Sequence, residues 1–340
     1  MLPLTDTMKN LFILMLCLAL QGCSNQVIRK INGVSFVASR EAALQEHVNA
    51  IMDINATYAA VMPFGFIRDT LSPEIIFDTD RQWFGETREG ARQYIQLLQK
   101  NKLKVMLKPQ LWIWRGKYTG ALKMPTEADW KLLEASYERF ILSYAGLAQE
   151  TGVPLFCVGT ELEQFVAARP AYWKQLIAKI REVYKGQLTY AANWDEYRDT
   201  PFWEELDYIG VDAYFPLSEE RTPAVETLVE AWEPWKDQMA QLSKTLRRQV
   251  IFTEFGYRSV DFTARKPWLA DRDDVEVNLD AQTNAKKAIF EVFWKEDWFA
   301  GGFVWKWFID HARAGGEADS RFTPQNKPAQ QVLKSYYSSY

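Results

Sequence analysis

The chain has 340 residues and a formal net charge of -4, with 48% hydrophobic and 25% charged residues. These values exclude a disordered chain, and the absence of any long basic run argues against a nucleic-acid partner. About 300 residues can bury roughly three quarters of the unfolded surface around one core, and the 14 Trp, 15 Tyr and 20 Phe are a load beyond the ordinary, of the kind that stacks on sugar faces.

The N-terminal stretch from Met8, "MKNLFILMLCLALQGC", has one Lys, an apolar run and then small residues. That is a secretory signal pattern, too short for a comfortable membrane span. Its end, "LQGC" (Leu20 to Cys23), resembles a bacterial lipobox, which implies a signal peptide over 1–22 and a lipid (palmitate-type) anchor on Cys23. A short tether over 23–30 and one folded domain over 31–340 follow. The expected location is the bacterial cell envelope, on the outer-membrane or periplasmic side, and Ser24 is compatible with outer-membrane sorting. Cys17 leaves with the signal, so Cys157 alone remains in the mature fold and no disulfide supports it. Cys157 lies in an apolar run that should raise its pKa, which disfavours it as a nucleophile. His47 and His311 are too few for a histidine metal site, and no metal or cofactor is expected.

Eight short apolar runs follow in chain order, over residues 33–38, 57–63, 103–109, 154–160, 188–194, 208–214, 250–256 and 301–307. They are almost continuously apolar rather than alternating, as parallel strands buried on both faces require. Helical spacing lies between them: Trp130, Leu133, Tyr137, Phe140, Ile141 and Tyr144; then Trp173, Leu176, Ile177 and Ile180; then Ala285, Ala288, Ile289 and Val292. Thr126 and Pro170 are suitable helix starts. Eight strands alternating with helices predict an α/β fold, a single-domain (β/α)8 TIM barrel. An open doubly wound sheet is the alternative, although no GxGxxG or P-loop follows the first strand. Two long connections, 257–280 and 311–327, lack periodicity and are of the length that often carries function.

Barrel active sites lie at the C-terminal ends of strands. Glu161 ends the fourth run in "FCVGTELEQF", and Glu254 ends the seventh in "IFTEFGY". A carboxylate closing an apolar strand is costly to desolvate unless it has a task. Two carboxyls facing each other across a barrel mouth can cleave a glycosidic bond, one as proton donor and one as nucleophile, about 5–5.5 Å apart for a retaining reaction. Glu163, two residues on, points elsewhere on a new helix and reads as structural. Lys108 and Asp212 also lie near strand ends and are expected to contact substrate or to pair within the barrel. Trp112, Trp114, Trp194, Trp268 and Trp307 are candidate sugar platforms.

Taken together, "VGTELE", "LDYIGVDAYFPLS", "IFTEFGYRS", "GGFVWKWF" and "FTPQNKPA" resemble glycoside hydrolase family 113 over most of the mature chain. The resemblance implies metal-free, retaining hydrolysis of β-1,4-mannosidic bonds in a polysaccharide or oligosaccharide. It implies that Glu161 is the acid/base, Glu254 the nucleophile, Tyr214 a hydrogen-bond donor to that nucleophile and Trp305 the platform under the cleaved sugar. Most members of the wider clan place Asn before the acid/base. Thr160 stands there, so the reader of the sugar 2-hydroxyl is open, with Asn193 a candidate. Gln110 occupies a position where His is common, which implies a changed distal pocket. The expected activity is that of a membrane-anchored, monomeric glycosidase. The alternatives are the same mechanism on another β-linked hexose and a non-catalytic glycan-binding lipoprotein.

Overall fold

The computed structural model describes residues 30–269 and 276–340. The N-terminal expectations, including the signal peptide and Cys23, lie outside the described residues. The first strand, β1, spans Ile31–Phe36. It is followed by α1 (Gln45–Met52), β2 (Tyr58–Val61), β3 (Phe64–Ile67), α2 (Arg88–Lys100), β4 (Lys104–Leu107), β5 (Gln110–Ile113), α3 (Glu127–Thr151) and β6 (Leu155–Thr160). Then come α4 (Glu163–Ala168), α5 (Pro170–Val183), β7 (Gln187–Asn193), β8 (Tyr208–Ala213), α6 (Val225–Leu246), β9 (Gln249–Phe255), α7 (Leu279–Phe293), β10 (Phe299–Trp307) and α8 (Pro328–Ser339).

Eight strands close into a parallel barrel in the order β1-β10-β9-β8-β7-β6-β4-β2, and β2 pairs back onto β1. The eight apolar runs are these eight strands. Inside the barrel lies a small apolar cluster of Ile31, Ala60, Met106, Leu155, Cys157, Ala191, Ile251, Ala300 and Phe303. The larger core fills the space between strands and helices. Each helix buries the stripe that its spacing predicts: α3 buries Trp130, Leu133, Tyr137, Phe140, Ile141 and Tyr144. Thr126 caps α3 by accepting a hydrogen bond from Asp129 N–H, and Gly152 ends it at φ +65°. Pro170 occupies the first turn of α5, where its missing N–H is no loss.

One feature of the fold was not expected. Past the barrel rim, β2 and β4 continue as a separate two-stranded parallel sheet, β3 with β5. Each continuation follows a proline, Pro63 or Pro109, which has no N–H for a ladder and so interrupts the strand. The link is kept by Lys108 N–H to Val61 O and by Gln110 N–H to Pro63 O, both 2.9 Å. This sheet stands above the barrel mouth as a wall. The two long connections pack on each other: Lys327 Nζ donates to Ser259 Oγ at 2.8 Å and pairs with Asp319 at 2.7 Å.

Candidate active site

Glu254 lies near the end of β9, 6% exposed. Three donors converge on its carboxylate. Lys108 Nζ reaches Oε1 at 2.6 Å, Gln110 Nε2 reaches the same oxygen at 2.9 Å, and Tyr214 OH reaches Oε2 at 2.7 Å. Lys108 also binds both oxygens of Asp212, at 3.2 and 3.3 Å, and Asp212 accepts from Thr253 Oγ1 at 2.7 Å. Burial alone would lower the Lys108 ammonium. Asp212 and Glu254 outweigh it and hold the group above the ordinary lysine range, so it is a cation. Burial pushes the Tyr214 phenol well up, and the Glu254 and Asp212 charges add to it, so the phenol keeps its proton and donates. Asp212 is pushed up by burial and by Glu254, against the pull of Lys108 and Thr253.

Glu161 follows β6 in the left-handed region, with φ +50°. Its N–H donates to Ala191 O at 2.8 Å, and the next amide, Leu162 N–H, donates to Tyr190 OH at 2.7 Å. Burial raises the Glu161 carboxyl well above the usual range. Asp212 and Glu254 push it further, Lys108 opposes them, and Glu196 adds to the rise. The protonated form is therefore favoured. Glu163, at the start of α4, is exposed.

Glu161 and Glu254 share one cavity of about 890 Å3. Thr160, Gln110, Trp305 and Tyr118 line it near the acids, and Phe64, Phe66, Ile76, Trp83, Leu111 and Trp112 from the extra sheet and its neighbours form an apolar wall. An apolar wall with a few convergent polar groups is the usual form of a small-molecule site. Trp112 is 41% exposed on β5, a ring presented to the cavity as a platform would be.

The structure brings together Glu161, Glu254, Tyr214, Trp305 and Trp112. It decides or overturns other expectations. Lys108 and Asp212 are sealed from solvent beneath Glu254, so they pair within the barrel and do not reach a sugar. Trp307 is fully buried, stacks on His311 at 5.3 Å and does not line the cavity. Gln110 lies against Glu254 itself rather than in a distal pocket. Trp194 stacks on Trp268 at 5.3 Å and does not line the cavity. Asn193 directs its amide to Tyr118 OH at 3.1 Å and Asp195 at 2.9 Å. The sequence pattern gives no sign of Gln110 as a donor to Glu254, nor of Tyr118 and Glu196 beside Glu161, beyond an acid after strand "LTYAANW" in the case of Glu196.

A model of Glycoside Hydrolase Family 113 matches residues 37–327. Among solved structures, a family 113 β-mannanase from Alicyclobacillus acidocaldarius, in complex with ManMIm, is similar at a TM-score of 0.80 and 22% identity, covering 92% of this chain and 98% of that one. A second β-1,4-mannanase of the family is similar at 0.79 and 22% identity, over 92% and 100%. A β-glucuronidase from Ruminococcus gnavus is similar at 0.59 and 14% identity, over 91% of this chain and 49% of that one. At these identities the structural likeness is one of fold. No curated protein sequence matches the chain.

Proposed function

The chain belongs to glycoside hydrolase family 113, and from that premise we propose that this glycosidase cleaves β-1,4-mannosidic bonds with retention, with Glu161 as acid/base and Glu254 as nucleophile. In the first step a Glu254 oxygen attacks the anomeric carbon, the glycosidic C–O bond breaks, and the Glu161 proton passes to the leaving oxygen. In the second step Glu161 takes a proton from water, the water oxygen attacks the anomeric carbon, and the bond to Glu254 breaks. Tyr214 and Gln110 hold the nucleophile, and Lys108 offsets the charge that Asp212 and Glu254 share between turnovers. Trp305 and Trp112 lie under the sugars, and Thr160, beside Glu161, is the nearer candidate for a sugar hydroxyl than Asn193.

The observation that carries this reading is a difference in environment within one cavity. Glu254 accepts three hydrogen bonds, one from a cation, which suits an anion, whereas burial and neighbouring charge favour the proton on Glu161. Two carboxyls whose surroundings separate their protonation states are what an acid and a nucleophile need. The similar mannanases support mannose as the sugar.

The test is reducing-sugar release from mannan, glucomannan, manno-oligosaccharides, cellulose and xylan, with Glu254→Gln beside the parent. Release from mannans that the variant lacks supports the whole reading. Release from another glycan alone keeps the mechanism and discards mannose. Tight binding without release favours the glycan-binding alternative. We also place the protein, as a monomer, at the bacterial envelope through a lipid on Cys23. Cys23→Ala should move the expressed protein from the detergent-extracted membrane fraction to the soluble one, and unchanged partitioning would rule the anchor out.

A further inference from the structure

Glu161 occupies a backbone region that residues with a Cβ seldom adopt and that persists only where the surroundings over-determine it. Both hydrogen bonds that do so here end on β7: Glu161 N–H on Ala191 O at 2.8 Å, and Leu162 N–H on Tyr190 OH at 2.7 Å. The Tyr190 hydroxyl accepts from Leu162 and donates its own proton to Glu196 Oε1 at 3.2 Å, where Asn193 N–H also donates at 3.1 Å. Glu196 is 8% exposed, and its Oε2 has no partner among the described residues. A buried line of carboxyl, phenol and backbone amide therefore ends one peptide bond from Glu161.

We propose that Glu196, acting through Tyr190, is a positioning residue that fixes the turn aiming the Glu161 carboxyl into the cavity. The inference rests on the reading of Glu161 as proton donor. A surface carboxylate that merely closed the turn after β7 would be solvated and ionised. Glu196 instead holds a bare oxygen away from water, which is costly for an anion. The titratable groups acting on Glu196 and its partners are Tyr190 on β7, Tyr137 on α3, Glu161 after β6, Glu163 on α4, Tyr118 in the loop after β5 and Asp195 beside it. None of these is a cation. Burial raises the Glu196 carboxyl to about 8, with Asn193 and Tyr190 pulling it down and Glu163 and Asp195 adding to the rise. Burial and the unpartnered oxygen thus favour the protonated form of Glu196 near neutral pH. At higher pH its charge, of the same sign as that of Glu161, strengthens the hold of Glu161 on its proton.

The experiment compares kcat/KM, which reports the first step, on a manno-oligosaccharide and on a dinitrophenyl β-mannoside whose leaving group needs little protonation. Tyr190→Phe keeps the ring that packs 5.7 Å from Trp173 and 5.4 Å from Phe202 but removes the acceptor of Leu162 N–H. It should lose roughly 10- to 100-fold on the oligosaccharide and stay within about twofold on the aryl glycoside. Glu196→Gln keeps the Oε1 acceptor, so it should retain most activity and move the alkaline limb of the oligosaccharide profile to lower pH. Equal losses of Tyr190→Phe on both substrates, no loss on either, or an unmoved limb in Glu196→Gln each overturn the proposal. Glu161→Ala runs alongside: if it fails to spare the aryl glycoside, the proton-donor reading itself falls, which separates the two failures.

Discussion

Lys108 is the residue on which Glu254 depends, because it stands between two buried carboxyls that would otherwise repel each other. Removing one partner of such a group leaves uncompensated buried charge. Lys108→Met should cost about 3–5 kcal/mol of stability, read by urea denaturation, and should abolish turnover. Adding Asp212→Asn should recover part of the stability, because the two sites share one network; a strictly additive loss would show that they do not. Glu161 sets the pH dependence. Its folded pKa is raised by burial and by Asp212 and Glu254. Its contribution to stability is therefore fully present below the unfolded value of about 4.5 and is lost as pH rises through the folded value. Under the proposed mechanism the first step follows the same direction, since a proton donor at Glu161 must hold its proton. We expect an alkaline limb on oligosaccharides that is absent when Glu161→Ala acts on a dinitrophenyl glycoside. The same limb in both would assign it to another group.

At the scale of elements, the two prolines that interrupt β2 and β4 turn strand ends into a wall, and the wall supplies Gln110 and Trp112 to the cavity. The opposite side depends on the close approach of β9 and β10. A Cβ on Gly256, just after β9, would lie 2.6 Å from the carbonyl oxygen of Trp305, closer than contact allows. Gly256→Ala should therefore displace the Trp305 ring. Misplacement of about 1 Å near the reacting centre can cost on the order of 100-fold, and overpacking destabilises by about 1–3 kcal/mol. We expect kcat/KM on oligosaccharides to fall at least about tenfold while a cooperative thermal transition survives. Unchanged kinetics would mean that the end of β10 adapts without moving the platform.

For the whole molecule, closure of the barrel places Cys157 among the apolar side chains of its interior, where burial pushes the thiol up to about 11 despite the nearby Lys108. Native protein should not react with a disulfide reagent at neutral pH, and one thiol of the barrel should react in denaturant; reaction of Cys157 in the native state would show that the interior opens. Most of this architecture was legible in the chain. Continuous apolar runs fit only strands covered on both faces, and the stripes at 3.6 spacing fit only helices laid against them, so eight strands, their order and the rim positions of Glu161 and Glu254 followed from local pattern. The wall of β3 and β5 was hidden because proline reads as a stop, whereas here it marks a strand that resumes beyond a break. The roles of Lys108, Asp212 and Trp307 were undecided for a different reason: a strand residue near the rim can point to the cavity, to the interior or to the helices, and only its neighbours across the barrel settle which. Sequence by itself thus determined the scaffold and the two acids. Tertiary structure alone decided what surrounds them, the Lys108 pair under one and the Tyr190 and Glu196 line beside the other, because hydrogen bonds and charges act across strands that are far apart in the chain.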